Sequence, residues 1–245
     1  MFPKAQTWLT THIYQNRLLL RRDVGVMSFS FDDAMHSACE AGREALEQRH
    51  CLGTWYVAGA LTDQVKDERR YHSITDIQEL ASSGHHIGCH TYSHRPCDQL
   101  TPTEIAVDLQ RNVEFFRKIG LPTSDLHFSF PFGAVNKASK LLASTTFKSS
   151  RIVGGGIQVG FADLNGLRSE QLYQHSMTRE RLSSLAKEVA AKKGWLIFQT
   201  HDVEDAPSQW GCTRNLLDYA IQSALDCGCV VLPVDQAVAY FKHSN

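Results

Sequence analysis

The run Val24-Gly-Val-Met-Ser-Phe-Ser-Phe-Asp-Asp33 decides the fold of this chain. Its first eight residues are apolar or small, with Val and Phe alternating with Gly and Ser, and the run reads as a buried strand over 24–31. A buried strand that ends in two adjacent carboxylates needs compensation. Like charges raise one another's pKa, and burial raises both further. A cation or a catalytic duty supplies that compensation. The alternative is a turn or a helix N-cap, where Asp is common.

Outward from this run the chain alternates. Strand-like runs are predicted at 24–31, 51–58, 85–90, 126–132, 150–154, 172–177, 195–201 and 229–234. Helices are predicted at 35–50, 74–83, 102–119, 137–145, 179–193, 213–227 and 235–242. Thr101-Pro-Thr-Glu104 is a capping box with Pro at N1, and Ser73-Ile-Thr-Asp76 opens the second helix. No linker or repeat divides the chain. The alternation predicts one α/β domain built on a parallel sheet or barrel, with residues 1–23 as an N-terminal extension packing on it.

Active sites of parallel barrels gather at the C-terminal ends of the strands. Asp32 and Asp33 fall at such an end, and so do His90-Thr-Tyr-Ser-His94, Ser129-Phe-Pro-Phe-Gly133 and His201. Two histidines four apart share one face of a helical turn, and neutral imidazoles bind zinc. Two His with one Asp leave coordination positions open, which suits a catalytic metal. With 12 His in the chain, one such pair alone is weak; four compatible groups at one rim are strong.

Composition narrows the function. The chain has 245 residues, 42% hydrophobic and 21% charged, enough for a sizeable core. Its net charge of −1 gives no electrostatic case for nucleic acid or an acidic membrane. No run of 18 apolar residues predicts a membrane span, and the N-terminus does not read as a signal peptide. The seven cysteines form no CxxC pair and read as reduced thiols of a cytoplasmic protein. Gly154-Gly-Gly156 lacks the pattern of a phosphate-binding loop.

Phe29-Ser-Phe-Asp-Asp-Ala34, His90-Thr-Tyr-Ser-His94, Phe130-Pro-Phe-Gly133 and the late apolar strand ending in His201 together resemble the polysaccharide deacetylase family, the NodB-homology group of carbohydrate esterases (family 4). The resemblance covers about residues 24–235. It implies a distorted (β/α)7 barrel and one divalent metal ion, usually Zn2+, held by Asp33, His90 and His94. By the same resemblance Asp32 is the general base, His201 the general acid, and the backbone N–H of Phe132 an oxyanion donor. Tyr92 and Trp210 are candidates to stack on a sugar ring.

The chain departs from the family in two places. The arginine expected just before the Pro-Phe-Gly motif is missing, since that stretch reads His127-Phe-Ser-Phe130; Arg151, Arg168 and Arg179 are the candidates to replace it. The Asp-rich support for the late histidine has no clear match in 155–180. The expected activity is removal of an N-acetyl or N-formyl group from an amino sugar. For a cytoplasmic enzyme the substrate would be a nucleotide- or lipid-linked precursor of surface polysaccharide or lipopolysaccharide. Two other readings stand beside it: a hydrolase of non-sugar amides or cyclic imides, and an inactive carbohydrate-binding protein.

Overall fold

A computed structural model describes residues 13–243. Seven parallel strands close into a barrel: β1 (Val26–Asp32), β2 (Thr54–Val57), β3 (His86–Cys89), β4 (Phe128–Ser129), β5 (Ser150–Val153), β6 (Leu167–Gln171) and β7 (Trp195–Thr200). They pair in chain order, and β7 closes on β1 from Trp195 opposite Val26 to Thr200 opposite Phe31. Seven helices are described: α1 (Arg43–Glu47), α2 (Ile74–Ser82), α3 (Pro102–Lys118), α4 (Lys137–Thr146), α5 (Arg179–Lys192), α6 (Arg214–Asp226) and α7 (Val234–Lys242). The expected α/β barrel is the observed architecture.

All seven residues of β1 are buried because both edges and both faces of the strand are covered. One edge carries β7. The other carries β2 beside Ser30–Asp32 and the short strand Val230–Val231 beside Val26 and Met27. Side chains alternate across a strand. Met27, Phe29 and Phe31 join the large core between the strands and helices α5 and α6. Val26 joins a second cluster with Trp195, Ile197 and Leu167, closed from below by Val234, Ala237, Val238 and Phe241 of α7. Ser28, Ser30 and Asp32 share the face of Val26 and so point into the lumen. Their small size fits the narrow interior, and their hydroxyls bond the next strand: Ser30 donates to the Phe198 carbonyl, and Ser28 accepts from Trp195 Nε1.

Two expectations need correction. The sixth strand is not 172–177 but Leu167–Gln171, and 172–177 is the loop that leaves it. Arg168 and Glu170 alternate with buried Leu167 and Ser169, so the strand lacks the apolar run that a buried strand usually shows. The helix expected near 35–50 is split into a π-helical turn, Ala38–Gly42, and α1. No helix joins β5 to β6 among the described residues; that connection forms the strand Phe161–Asp163, which pairs antiparallel with Arg17–Leu19. Of the expected extension 1–23, residues 1–12 lie outside the described residues. Leu18 and Leu20 are buried in the α7 cluster.

A histidine pair marks the opposite end of the barrel from the strand exits. His86 and His127 meet edge to face at 5.0 Å. Burial pushes His86 down to about 3, and burial with the neighbouring His86 pushes His127 the same way. In the unfolded chain both titrate near 6.5. Between those limits the unfolded state binds more protons, so stability is full above about pH 6.5 and falls as the pH drops towards 4. Urea midpoints measured from pH 7 to 4 should fall steadily in the wild type. The slope should flatten in H86N/H127N.

Candidate active site

The rim at the strand exits is built on strained backbone. Asp33 (φ 62°), Ala34 (φ 48°), Thr91 (φ 60°), His94 (φ 52°) and Phe132 (φ 58°) all adopt left-handed conformations without being glycine. Such residues cost on the order of 1–3 kcal/mol each and persist only where surrounding contacts enforce them. Those contacts are visible. His72, fully buried, donates from Nδ1 to the Asp33 carbonyl at 2.9 Å, and its Nε2 meets the Thr62 hydroxyl at 3.2 Å. The N–H of His94 donates to Thr91 Oγ1 at 3.0 Å. Asp108 of α3 accepts from the N–H groups of Tyr92 and Ser93, both at 3.2 Å. One turn further along α3, Asn112 accepts from the Gly59 N–H and donates to the Val57 carbonyl, both at 2.9 Å.

This correction follows: the two histidines do not lie on a helical turn. Asp108 and the left-handed Thr91 and His94 fold 90–94 into a loop that still brings both imidazoles together. Their ring centroids are 5.0 Å apart. His94 Nε2 lies 2.9 Å and His90 Nε2 3.7 Å from the same oxygen, Asp33 Oδ1. His90 Nδ1 sits 2.7 Å from the Ser129 carbonyl, which can only accept, so Nδ1 carries a proton. Burial pushes the His90 pKa down to about 4, so the ring is neutral and its Nε2 lone pair faces the carboxylate. Asp33 Oδ1 is buried and accepts no aligned hydrogen bond. Burial alone would raise the Asp33 pKa; the contact with His94, then His201 and His90, overrides it and holds the carboxyl ionised. A lone pair facing an orphaned carboxylate oxygen fits a cation between them. Two imidazole nitrogens and a carboxylate oxygen, all within 4.8 Å of one another, suit a divalent transition metal.

Asp32 lies beside this trio, 5% exposed, and is held by an arginine that the sequence leaves unassigned. Arg151 of β5, itself buried, reaches Asp32 Oδ1 at 2.5 Å and contacts Oδ2 as well. Of the three candidates to replace the missing arginine, only Arg151 makes this contact among the described residues. Its remaining hydrogens go to Ser129 Oγ, Ser169 Oγ and Gln199 Oε1, and its guanidinium lies 5.3 Å from the Tyr56 ring centre. Burial tends to raise the Asp32 pKa, but the Arg151 charge, then His90 and His201, pull it below the ordinary carboxylate value. The arginine is thus steadied by neutral groups.

His201 follows β7. Its Nδ1 lies 3.2 Å from the Trp210 carbonyl, which can only accept, so Nδ1 carries a proton. Asp202, 1% exposed, orders the loop behind it, accepting from the Ser208 N–H at 2.6 Å and the Ser208 hydroxyl at 2.5 Å. A Cβ at Gly211 would fall 2.4 Å from that carboxylate, so the loop can close only on glycine. Trp210 is about half exposed and meets the Tyr173 ring edge-on at 5.7 Å. Phe132 is 64% exposed, its ring 4.7 Å from His94. The turn's own bonds are made by the N–H groups of Gly133 and Ala134, which leaves the Phe132 N–H outside them. The Tyr92 ring lies against Phe115 and beneath Arg111 of α3.

Sequence reasoning missed Asp108, Asn112, His72, Asp202, Gln199 and Tyr173. The α3 pair had a signal: both fall on the stripe of Ile105, Leu109 and Phe116 that faces the core. Polar residues spaced four apart on such a stripe have a buried bonding duty.

The fold agrees with comparisons to known proteins. Solved structures with the same fold include the chitin deacetylase of Colletotrichum lindemuthianum (15% identity, 87% of this chain and 87% of that one, TM-score 0.63). Bacillus subtilis PdaA, a family 4 carbohydrate esterase, matches at 16% identity over 98% and 91% (TM-score 0.62). A family 4 acetyl xylan esterase from Clostridium thermocellum, in complex with a cobalt ion, matches at 18% identity over 88% and 91% (TM-score 0.61). These identities establish the shared fold alone. No curated protein matches the sequence. The polysaccharide deacetylase model matches residues 21–148, more than half of the chain, and the chain belongs to that family.

Proposed function

We propose that this chain is a divalent-metal hydrolase that removes an N-acetyl or N-formyl group from an amino sugar of a surface-polysaccharide or lipopolysaccharide precursor. The observation that carries the reading is the adjacency of two differently held carboxylates. Asp33 faces His90 and His94, while Asp32, one residue away, is gripped by Arg151. One carboxylate is placed to bind a cation and the other to move a proton. The pair would otherwise be a costly burial of like charge.

A divalent ion, most simply Zn2+, held by Asp33, His90 and His94 would lower the pKa of a water to about 7 and polarise the acyl carbonyl. The protein's own groups would do the rest. Asp32 takes a proton from the attacking water. The Phe132 N–H donates to the oxygen that gains charge as the carbonyl becomes tetrahedral. His201 Nε2 gives a proton to the departing nitrogen, while its Nδ1–H stays on the Trp210 carbonyl. The products are a carboxylic acid and a free amine on the sugar. Trp210, exposed at the rim, is the better placed of the two aromatic candidates for a sugar face; Tyr92 is occupied by α3.

The seven cysteines are unpaired and six are buried, which favours a reducing compartment and hence a cytoplasmic precursor over a finished polymer. No helix among the described residues is long and apolar enough to cross a membrane, so a lipid-linked substrate would be met at a surface.

Acyl release from N-acetylated and N-formylated amino sugars should cease on dialysis against a chelator and return with Zn2+. H94A should lose the bound metal, read by elemental analysis; activity that survives both sinks the metal-dependent reading. D32N should keep its metal and lose at least about 100-fold in kcat. R151K, which gives up the forked contact, should lose about 10–100-fold. Because the Arg151 charge holds the Asp32 pKa down, the neutral variant R151Q should move the acid limb of the kcat/KM profile to higher pH. An unmoved limb would show that Asp32 is not the base that titrates there.

A further inference from the structure

Among the described residues, the bonds around Tyr173 leave one hydrogen with no acceptor, at the edge of the site just described. Arg151 can only donate, so its contact with Gln199 Oε1 fixes that end of the amide as oxygen. The Ser169 hydroxyl lies 2.6 Å from the same oxygen. The other end, Nε2, therefore donates to the Tyr173 hydroxyl, at 3.0 Å. A phenol oxygen that accepts one bond still has its own hydrogen to give. Among the described residues no acceptor takes that hydrogen. Burial pushes the phenol up to about 12, so the hydrogen stays in place through the neutral range.

The position says what the donor can meet. Tyr173 is 3% exposed, its ring 6.1 Å from His201 and 5.7 Å from Trp210. Its hydroxyl lies within the field of Asp32 and Asp33. These neighbours sit on the leaving-group side. The donor on the acyl side is the Phe132 N–H, whose ring packs on His94.

We infer that Tyr173 donates a hydrogen bond to an oxygen of the amino sugar itself, beside the acylated nitrogen, and so selects substrates that carry an oxygen there. The inference rests on the proposed deacylase reading. It also gives Gln199 a positioning role at both ends of one amide: its oxygen steadies the arginine that holds the base, and its nitrogen aims the phenol. A site of this kind discriminates strongly, because a sugar lacking the oxygen leaves a buried donor unmet.

The test compares wild type with Y173F on an N-acylated amino sugar and on its monodeoxy and ring-oxygen-replaced analogues. Melting temperature and bound metal are checked in both proteins. On the parent sugar Y173F should lose about tenfold in kcat/KM, the cost of one neutral hydrogen bond. On one analogue, the one lacking the partner oxygen, the two proteins should be equal. An equal loss on every analogue, or no loss at all, overturns the inference, since a structural role would not distinguish the sugars. Binding of the same panel, followed by tryptophan fluorescence, reads the contact without turnover. A wild type that binds selectively but releases no acyl group sinks the deacylase reading and leaves the Tyr173 contact standing. Neither binding nor turnover of any sugar in the panel overturns both.

Discussion

The contact between Arg151 and Asp32 is the constraint on which the rest of the site depends. Both charges lie inside the barrel mouth, nearly out of reach of water. Removing either would leave the other uncompensated, at a cost of about 3–5 kcal/mol. The arginine spends every remaining donor but its Nε on neutral oxygens from β4, β6 and β7. The barrel lumen is therefore not only a hydrophobic plug closed by α7. Its upper part is a polar network that ties four strands to one carboxylate.

Around that network the rim trades local backbone comfort for placement. Five left-handed non-glycine residues cluster at the strand exits that carry Asp32, Asp33, His90 and His94. Asp108 of α3 fastens the loop that contains Thr91 and His94, and the buried His72 holds Asp33. The helix thus serves two purposes: its apolar stripe packs the core, and two polar residues within that stripe fasten the loops after β2 and β3.

What could be read from the sequence was what is local. The first strand, the capped helices, the barrel class and the residues gathered at the strand exits follow from periodicity, turn residues and spacing. The metal-ligating roles proposed for Asp33, His90 and His94 rest on the residue types and on the family resemblance. Register was harder. Leu167–Gln171 carries two charged residues, whereas Leu172 and Tyr173 just beyond it look more strand-like, and this shifted the prediction by five residues. The support for Asp32 was legible only as a gap. Arg151 is 119 residues away along the chain, and its reach across the lumen depends on barrel closure, which no local pattern encodes. Tyr173 is hidden for a different reason: it lies in 172–177, which reads as strand but forms the loop after β6.

The shortest stave of the barrel has a wider consequence. The fourth strand is only Phe128 and Ser129, joined to the third at a single residue pair and to the fifth at two. Yet Ser129 touches both halves of the site: its carbonyl fixes the tautomer of His90, and its hydroxyl meets Arg151. Any breathing of this narrow seam would loosen His90 and the Arg151–Asp32 pair together. The placements of His90 and Asp32 are thereby tied to one local opening equilibrium, and both would be lost in step rather than one at a time.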